Sequence, residues 1–183
     1  MSAVNAHLSK LRSLLHEGAS CWSDLCELLI DWPGRHGLDV ALDYTERHIE
    51  AWPEQVREAP PRWWVALEEG QMTPAWRLIR SLKLPLSGLV VQDALALLPR
   101  LEGQVRFSQV YVHGVRLERD EWEMLFNSPT LDGLTQLELV YTNHLQVLAK
   151  VPNMRTVTEL ALRNCNMTPS CGAHLLESPW LGS

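Results

Sequence analysis

A short α/β solenoid, with parallel strands on its concave face, helices on its convex face and an N-terminal α-helical cap, is the fold the sequence predicts. Three observations lead there. Val157 to Ser183 lies over Phe107 to Gly133 without a gap, fifty residues apart and with apolar positions on apolar positions, and self-similarity at a fixed offset marks stacked repeat units. Four short segments, Leu82 to Leu84, Val110 to Val112, Leu137 to Leu139 and Leu160 to Leu162, alternate as strands with one buried face do. Before them, apolar residues recur at the helical spacings of three and four. The chain thus divides into a helical cap over 1–75 and about four repeats over 76–183.

In the cap, Val4, Leu8, Leu11 and Leu15 give an opening helix one apolar face, and Gly18 stops it. A second helix begins near Ser20 or Ser23, either of which could cap it, carries Leu25, Leu28 and Leu29, and ends at Trp32-Pro33. A third runs from Leu38 to Ala51, with Leu42, Tyr44 and Ile49 expected inward, and closes on Trp52-Pro53. Pro60 and Pro61 open a fourth, Arg62 to Glu69, with Gly70 as its stop. Thr73-Pro74 reads as a cap and first-turn proline for a fifth, Pro74 to Ser81. Six of the eight tryptophans fall in or beside these helices and supply core area. Core packing is the leading reading for all six; the alternative is that Trp63 and Trp64 cannot both be buried from one helix, which would place one of them at a contact surface.

After Ser81 the chain reads LKLPLSGL, VYVHGVRL, LELVYTNHL and LALRNCNM. Three positions beyond the second strand apolar stand Ser87, Val115, Thr142 and Cys165, and a further apolar follows at Leu89, Leu117, Leu145 and Met167. The helical halves line up as well: Ala94, Leu97 and Leu98 with Trp122, Leu125 and Phe126, and with Gly172, Leu175 and Leu176, each triplet one inward stripe. This pattern resembles the leucine-rich repeat, L-x-x-L-x-L-x-x-(N/C)-x-L, with LALRNCNMT the nearest single match. Strand spacings of 28, 27 and 23 residues resemble the longer, ribonuclease-inhibitor-like class, which implies a true helix on the convex side of each unit. The third unit departs from it: HLQVLAKVPNM is short and holds Pro152, so a single turn or irregular segment is expected there. The preceding helical stretch, with WPEQVREAPPRWW, resembles the N-terminal segment of some bacterial repeat proteins of this kind.

Stacked units bury their leucines inward and leave alternate strand residues on the concave sheet. That outward set is Lys83 and Pro85; Gln109, Tyr111 and His113; Glu138 and Val140; and Glu159, Ala161 and Arg163. Its mix of aromatic, both charge signs and histidine suits a protein interface. Lys83, Gln109, Tyr111, His113, Glu138, Val140 and Arg163 are the candidate partner-binding residues, with Tyr111 and Arg163 foremost because Tyr and Arg dominate interface hot spots. SPWLGS matches SPTLDG, after which the earlier unit runs into another strand. The last unit is therefore expected to leave an uncapped C-terminal edge near Leu160, Leu162, Leu175 and Leu181, open to a partner or a second copy.

Charge narrows the partners. The formal net charge is -6, and all the excess acid lies in residues 1–70. A general nucleic-acid binder needs clustered positive charge instead. No run approaches the roughly 18–20 apolar residues of a membrane span, and the four cysteines are too few for a disulfide framework, so a cytoplasmic location is expected. The seven histidines are scattered, and no nucleotide, esterase or HExxH motif occurs. Cys165, Cys171 and His174 lie close in sequence, but Cys165 falls on a repeat turn and Cys171 aligns with Glu121, so they do not converge on a metal. No catalytic residue, cofactor or metal is expected. The leading expectation is a non-enzymatic protein-interaction module binding a protein through its concave face. The alternatives are a structural subunit that associates through the open edge and an inhibitor or immunity protein for a basic enzyme.

Overall fold

A computed structural model of the chain describes residues 3–34, 37–84, 91–178 and 180. It has mixed α/β architecture, and its first third is helical. Helix α1 (Ala3–Glu17) turns at Gly18 into a 3-10 turn, Ala19–Cys21, that runs directly into α2 (Trp22–Ile30). Neither Ser20 nor Ser23 caps α2. The residue before it is Cys21, which makes no capping bond, because the 3-10 turn already satisfies the first amides. Helix α3 (Leu38–His48) buries Leu38, Ala41, Leu42 and Thr45. Tyr44 is not inward as expected. The stripe follows spacings of three and four, which select Thr45, whose hydroxyl donates to the Ala41 carbonyl at 2.7 Å. Tyr44 lies instead against His48 on the exposed side, ring centroids 4.0 Å apart.

Helix α4 (Pro61–Glu68) starts on its proline and ends before Gly70. Both of its tryptophans, Trp63 and Trp64, are buried as core residues, and the alternative of one ring at a contact surface does not hold. Trp76 explains this. It stands edge-on to both, 5.6 Å from Trp63 and 5.0 Å from Trp64, so one ring fills the space between two that diverge from their helix. Trp76 belongs to Pro74–Leu78, a 3-10 turn rather than the fifth helix expected over Pro74 to Ser81; Thr73 caps it as predicted, accepting from the Ala75 amide at 3.3 Å. The chain then extends because Ser81 joins the sheet.

The sheet has four parallel strands in sequence order: β1 (Ser81–Leu84), β2 (Gln109–His113), β3 (Gln136–Val140) and β4 (Glu159–Arg163). Register is strict. Leu82, Val110, Leu137 and Leu160 form one row, and Leu84, Val112, Leu139 and Leu162 another. Those of β1 to β3 are buried, whereas Leu160 and Leu162 are only partly covered. Crossovers are helical: α5 (Val91–Leu97) with the turn Leu98–Leu101, then α6 (Arg119–Phe126), then only 3-10 turns, Leu145–Lys150 and Pro152–Thr156. The third unit is thus irregular, as its length and Pro152 require. Helix α7 (Pro169–Leu176) follows β4. Ala94, Leu97, Leu98, Trp122, Leu125, Phe126 and Leu175 are buried as their alignment predicts, but Leu176 is 80% exposed. Its counterpart Phe126 is covered by the next unit, from which Asn153 donates to the Phe126 carbonyl at 2.9 Å. Leu176 has no such segment over it among the described residues. Met167 is likewise exposed, while Leu117 and Leu145 are buried. Pro85, Ser87, Leu89 and Leu181 lie outside the described residues.

Cap and sheet are not separable at residue 75. One continuous apolar core runs from Leu11 through Trp76 to Leu175. The Arg57 carbonyl accepts from both the Arg80 and Ser81 amides, and Glu58 bridges Ser81 in parallel, so the cap meets the outer edge of β1 at Ser81. Arg57 itself is buried, donating through Nε to the Leu78 carbonyl at 2.9 Å. Burial and the neighbouring Arg80 guanidinium lower its pKa to about 10. Carboxylates on α3 balance the cluster: Asp43 and Glu46 contact Arg77, and Glu46 reaches Arg80 at 3.6 Å. No helix among the described residues is long and apolar enough to cross a membrane.

Candidate functional site

The sheet face opposite the leucine rows carries the candidate site. Register arranges it in three rows: Ser81, Gln109, Gln136 and Glu159; then Lys83, Tyr111, Glu138 and Ala161; then His113, Val140 and Arg163. Six of the seven predicted partner-binding residues, Lys83, Tyr111, His113, Glu138, Val140 and Arg163, lie together here, exposed or half-buried. Gln109 does not join them, being only 3% exposed. Its Oε1 accepts the Tyr111 hydroxyl at 3.1 Å, and the cap segment around Glu54 and Glu58 adjoins it, Ser108 donating to Glu54 Oε2 at 2.6 Å. Gln109 therefore holds the tyrosine in place rather than meeting a partner. Ser81, in the same row, is buried under the same segment.

Two groups that sequence reasoning missed complete the face. Tyr141 is 58% exposed and stacks on His113 with centroids 5.9 Å apart. Its φ of 54° is left-handed, a conformation that costs an L-residue roughly 1–2 kcal/mol. A signal for this position was available: Gly114 and Asn164, at the same place after β2 and β4, are also left-handed, and Gly and Asn are the residues that tolerate it. Tyrosine in their place is a local strain exposed on the face. Gln136, half-buried, is the second addition. With Tyr111, Glu138, Thr158, Glu159 and Ala161 it lines a hollow of about 470 Å³ over β3 and β4.

Electrostatics here are mixed. Arg163 Nε lies 3.2 Å from Glu138 across adjacent strands. Burial, with the Glu138 and Glu159 carboxylates nearby, pushes the Tyr111 phenol above its usual range, so it stays a neutral hydroxyl. At the capped end, burial raises the Glu58 carboxyl, and the Lys83 ammonium only partly opposes this. A carboxyl whose folded pKa exceeds its unfolded one stabilises the fold fully below the unfolded value and loses that contribution as pH rises through the folded one. Glu58→Gln is therefore expected to be more stable than the wild type at neutral pH, and thermal melts down a pH series should show the difference shrinking towards acid.

The second cleft, about 520 Å³, lies on the helical side where the shortened third unit leaves α6 and α7 apart; Arg119, Lys150, Cys171 and His174 are among its lining residues. Burial and the nearby Cys165 raise the Cys171 thiol, and burial raises Cys26 well above the ordinary range, so both are thiols at neutral pH. Cys21 is raised by its hydrogen bond to Glu17. Cys165 contacts the Thr142 hydroxyl and the Leu139 carbonyl, each at 3.3 Å, in the turn after β4. Among the described residues no group of three His, Cys, Asp or Glu side chains could hold a metal ion. No family model, curated protein or solved structure matches the chain.

Proposed function

We propose that the chain is a short leucine-rich-repeat solenoid with a helical cap, and that it is a non-enzymatic binding module that takes a protein partner on the open face of its sheet. The observation that carries this reading is the band formed by Tyr111, His113 and the strained Tyr141 beside the Glu138–Arg163 ion pair. Aromatic rings beside an arginine are the composition of interface hot spots. Tyr111 is already held by Gln109 and so loses little freedom on binding. In-sequence parallel pairing of four strands supports the repeat reading. Four unpaired cysteines fit a reducing compartment, the cytoplasm. The unbalanced acid of the cap gives no purchase on nucleic acid.

Affinity purification with wild-type and Tyr111→Ala baits in parallel tests the reading. A protein captured by the wild type should bind the variant about thirtyfold more weakly, the loss of a hot spot of about 2 kcal/mol. Tyr141→Asn should separate stability from binding. It is expected to raise the unfolding free energy by about 1 kcal/mol, because Asn accepts the left-handed backbone, and to weaken capture. Equal capture by all three baits would sink the reading.

A further inference from the structure

The outer edge of β4 pairs with no strand among the described residues, whereas that of β1 is bridged at Ser81 by Glu58. The Thr158 and Glu159 amides donate to Thr135, and the Arg163 carbonyl accepts from Tyr141. Main-chain groups alternate sides along a strand, so Glu159, Ala161 and Arg163 pair inward with β3, and Leu160 and Leu162 present their N–H and C=O groups outward. Leu160 and Leu162 are partly uncovered although their counterparts on β2 and β3 are fully buried. Leu176 and Met167, from the same unit, are also exposed.

Sequence and geometry together select one occupant. An antiparallel copy of β4 centred on Ala161 sets Leu160 opposite Leu162 and Leu162 opposite Leu160. These are the outward-facing positions, so each pair exchanges both of its main-chain hydrogen bonds. The same register sets Glu159 opposite Arg163 and Arg163 opposite Glu159, at non-hydrogen-bonded sites where Cα atoms approach to about 4.5 Å and side chains meet most closely. The two neighbouring symmetric registers fail this test: centring on Leu160 sets Glu159 against Ala161, and centring on Leu162 sets Arg163 against Ala161. Glu159 has no ion pair among the described residues, and the Arg163 side chain is 67% exposed with only its Nε directed at Glu138. Both are therefore available across the two-fold. We infer that two copies of this chain associate edge to edge through β4, making one continuous eight-stranded sheet with Glu159 and Arg163 paired reciprocally. An isologous contact of this kind needs one patch complementary to itself, and Glu159-Leu-Ala-Leu-Arg163 is such a patch.

Sedimentation of the full chain over a concentration series, at low and high salt, reads the association directly. A monomer–dimer equilibrium weakened by salt is expected. Glu159→Arg places like charges opposite each other at both ends of the ladder and should raise the dimer dissociation constant by about tenfold or more. Arg163→Glu should do the same, and mixing the two variants, each checked for folding by circular dichroism, should restore a dimer because their charges complement. A wild type that stays monomeric throughout, an unchanged dimer in Glu159→Arg, or a mixture that fails to associate would each overturn the inference. Sedimentation of the chain alone involves no partner, so its failure is distinguishable from failed capture at Tyr111, even though Arg163 and Glu159 adjoin the same face.

Discussion

Alanine in place of Trp76 is expected to lower the free energy of unfolding by about 3–5 kcal/mol, the range for emptying a fully buried aromatic site. In a chain of this size that lowers the melting temperature by on the order of 10 °C. Trp76 is fully buried and edge-on to both Trp63 and Trp64; each edge-to-face contact adds about 0.5–1.5 kcal/mol beyond the buried area. Collapse cannot refill the site, because the two remaining rings are fixed to α4 and diverge. Phe in the same position separates the ring from its N–H group. The Nε1 atoms of Trp63, Trp64 and Trp76 are all buried without a hydrogen-bond partner, so Trp76→Phe keeps most of the packing and removes one unsatisfied donor. It should lose under about 1.5 kcal/mol. Chemical denaturation followed by far-ultraviolet circular dichroism checks both. A loss in Trp76→Ala no larger than in Trp76→Phe would show that the ring does not couple cap to sheet.

The second large effect concerns a single row of the sheet. Leu139→Ala, on β3, should cost about 2–5 kcal/mol, whereas Leu162→Ala, next to it on β4, should cost less, because Leu139 is fully buried and Leu162 only partly covered. The contrast depends on concentration. Where the β4 edges of two chains meet, Leu162 gains cover, so its alanine variant should lose more stability in concentrated protein than in dilute, while the Leu139→Ala loss stays constant. Equal losses for the two variants in dilute solution would mean that β4 is covered by something other than a second copy.

The strand rows were legible in sequence because alternation needs only the chain itself: Leu82, Val110, Leu137 and Leu160 fell on the buried face as read. The irregular third crossover was legible for the same reason, Pro152 and the shortened spacing being local. Positions set by contacts far apart in the chain were not. Gln109 has the outward parity of its strand, yet the segment around Glu54 and Glu58, some fifty residues earlier, adjoins it. Trp63 and Trp64 diverge from α4 as a helical wheel says, but the ring that fills the gap arrives from the next element. Leu176 shares the pattern of Phe126 and differs only in what lies over it. Of the candidate site, six residues followed from parity alone. Tyr141 did not, because its value lies in a backbone angle that becomes visible once Gly114, Tyr141 and Asn164 are aligned.

The cap's grip on β1 has a consequence for how far assembly can proceed. In the inferred pair of molecules, β1 is the far edge of the joined sheet on either side. There the Arg57 carbonyl accepts from two amides and Glu58 bridges Ser81, so this edge is blunted at its start rather than left as a bare template for further chains.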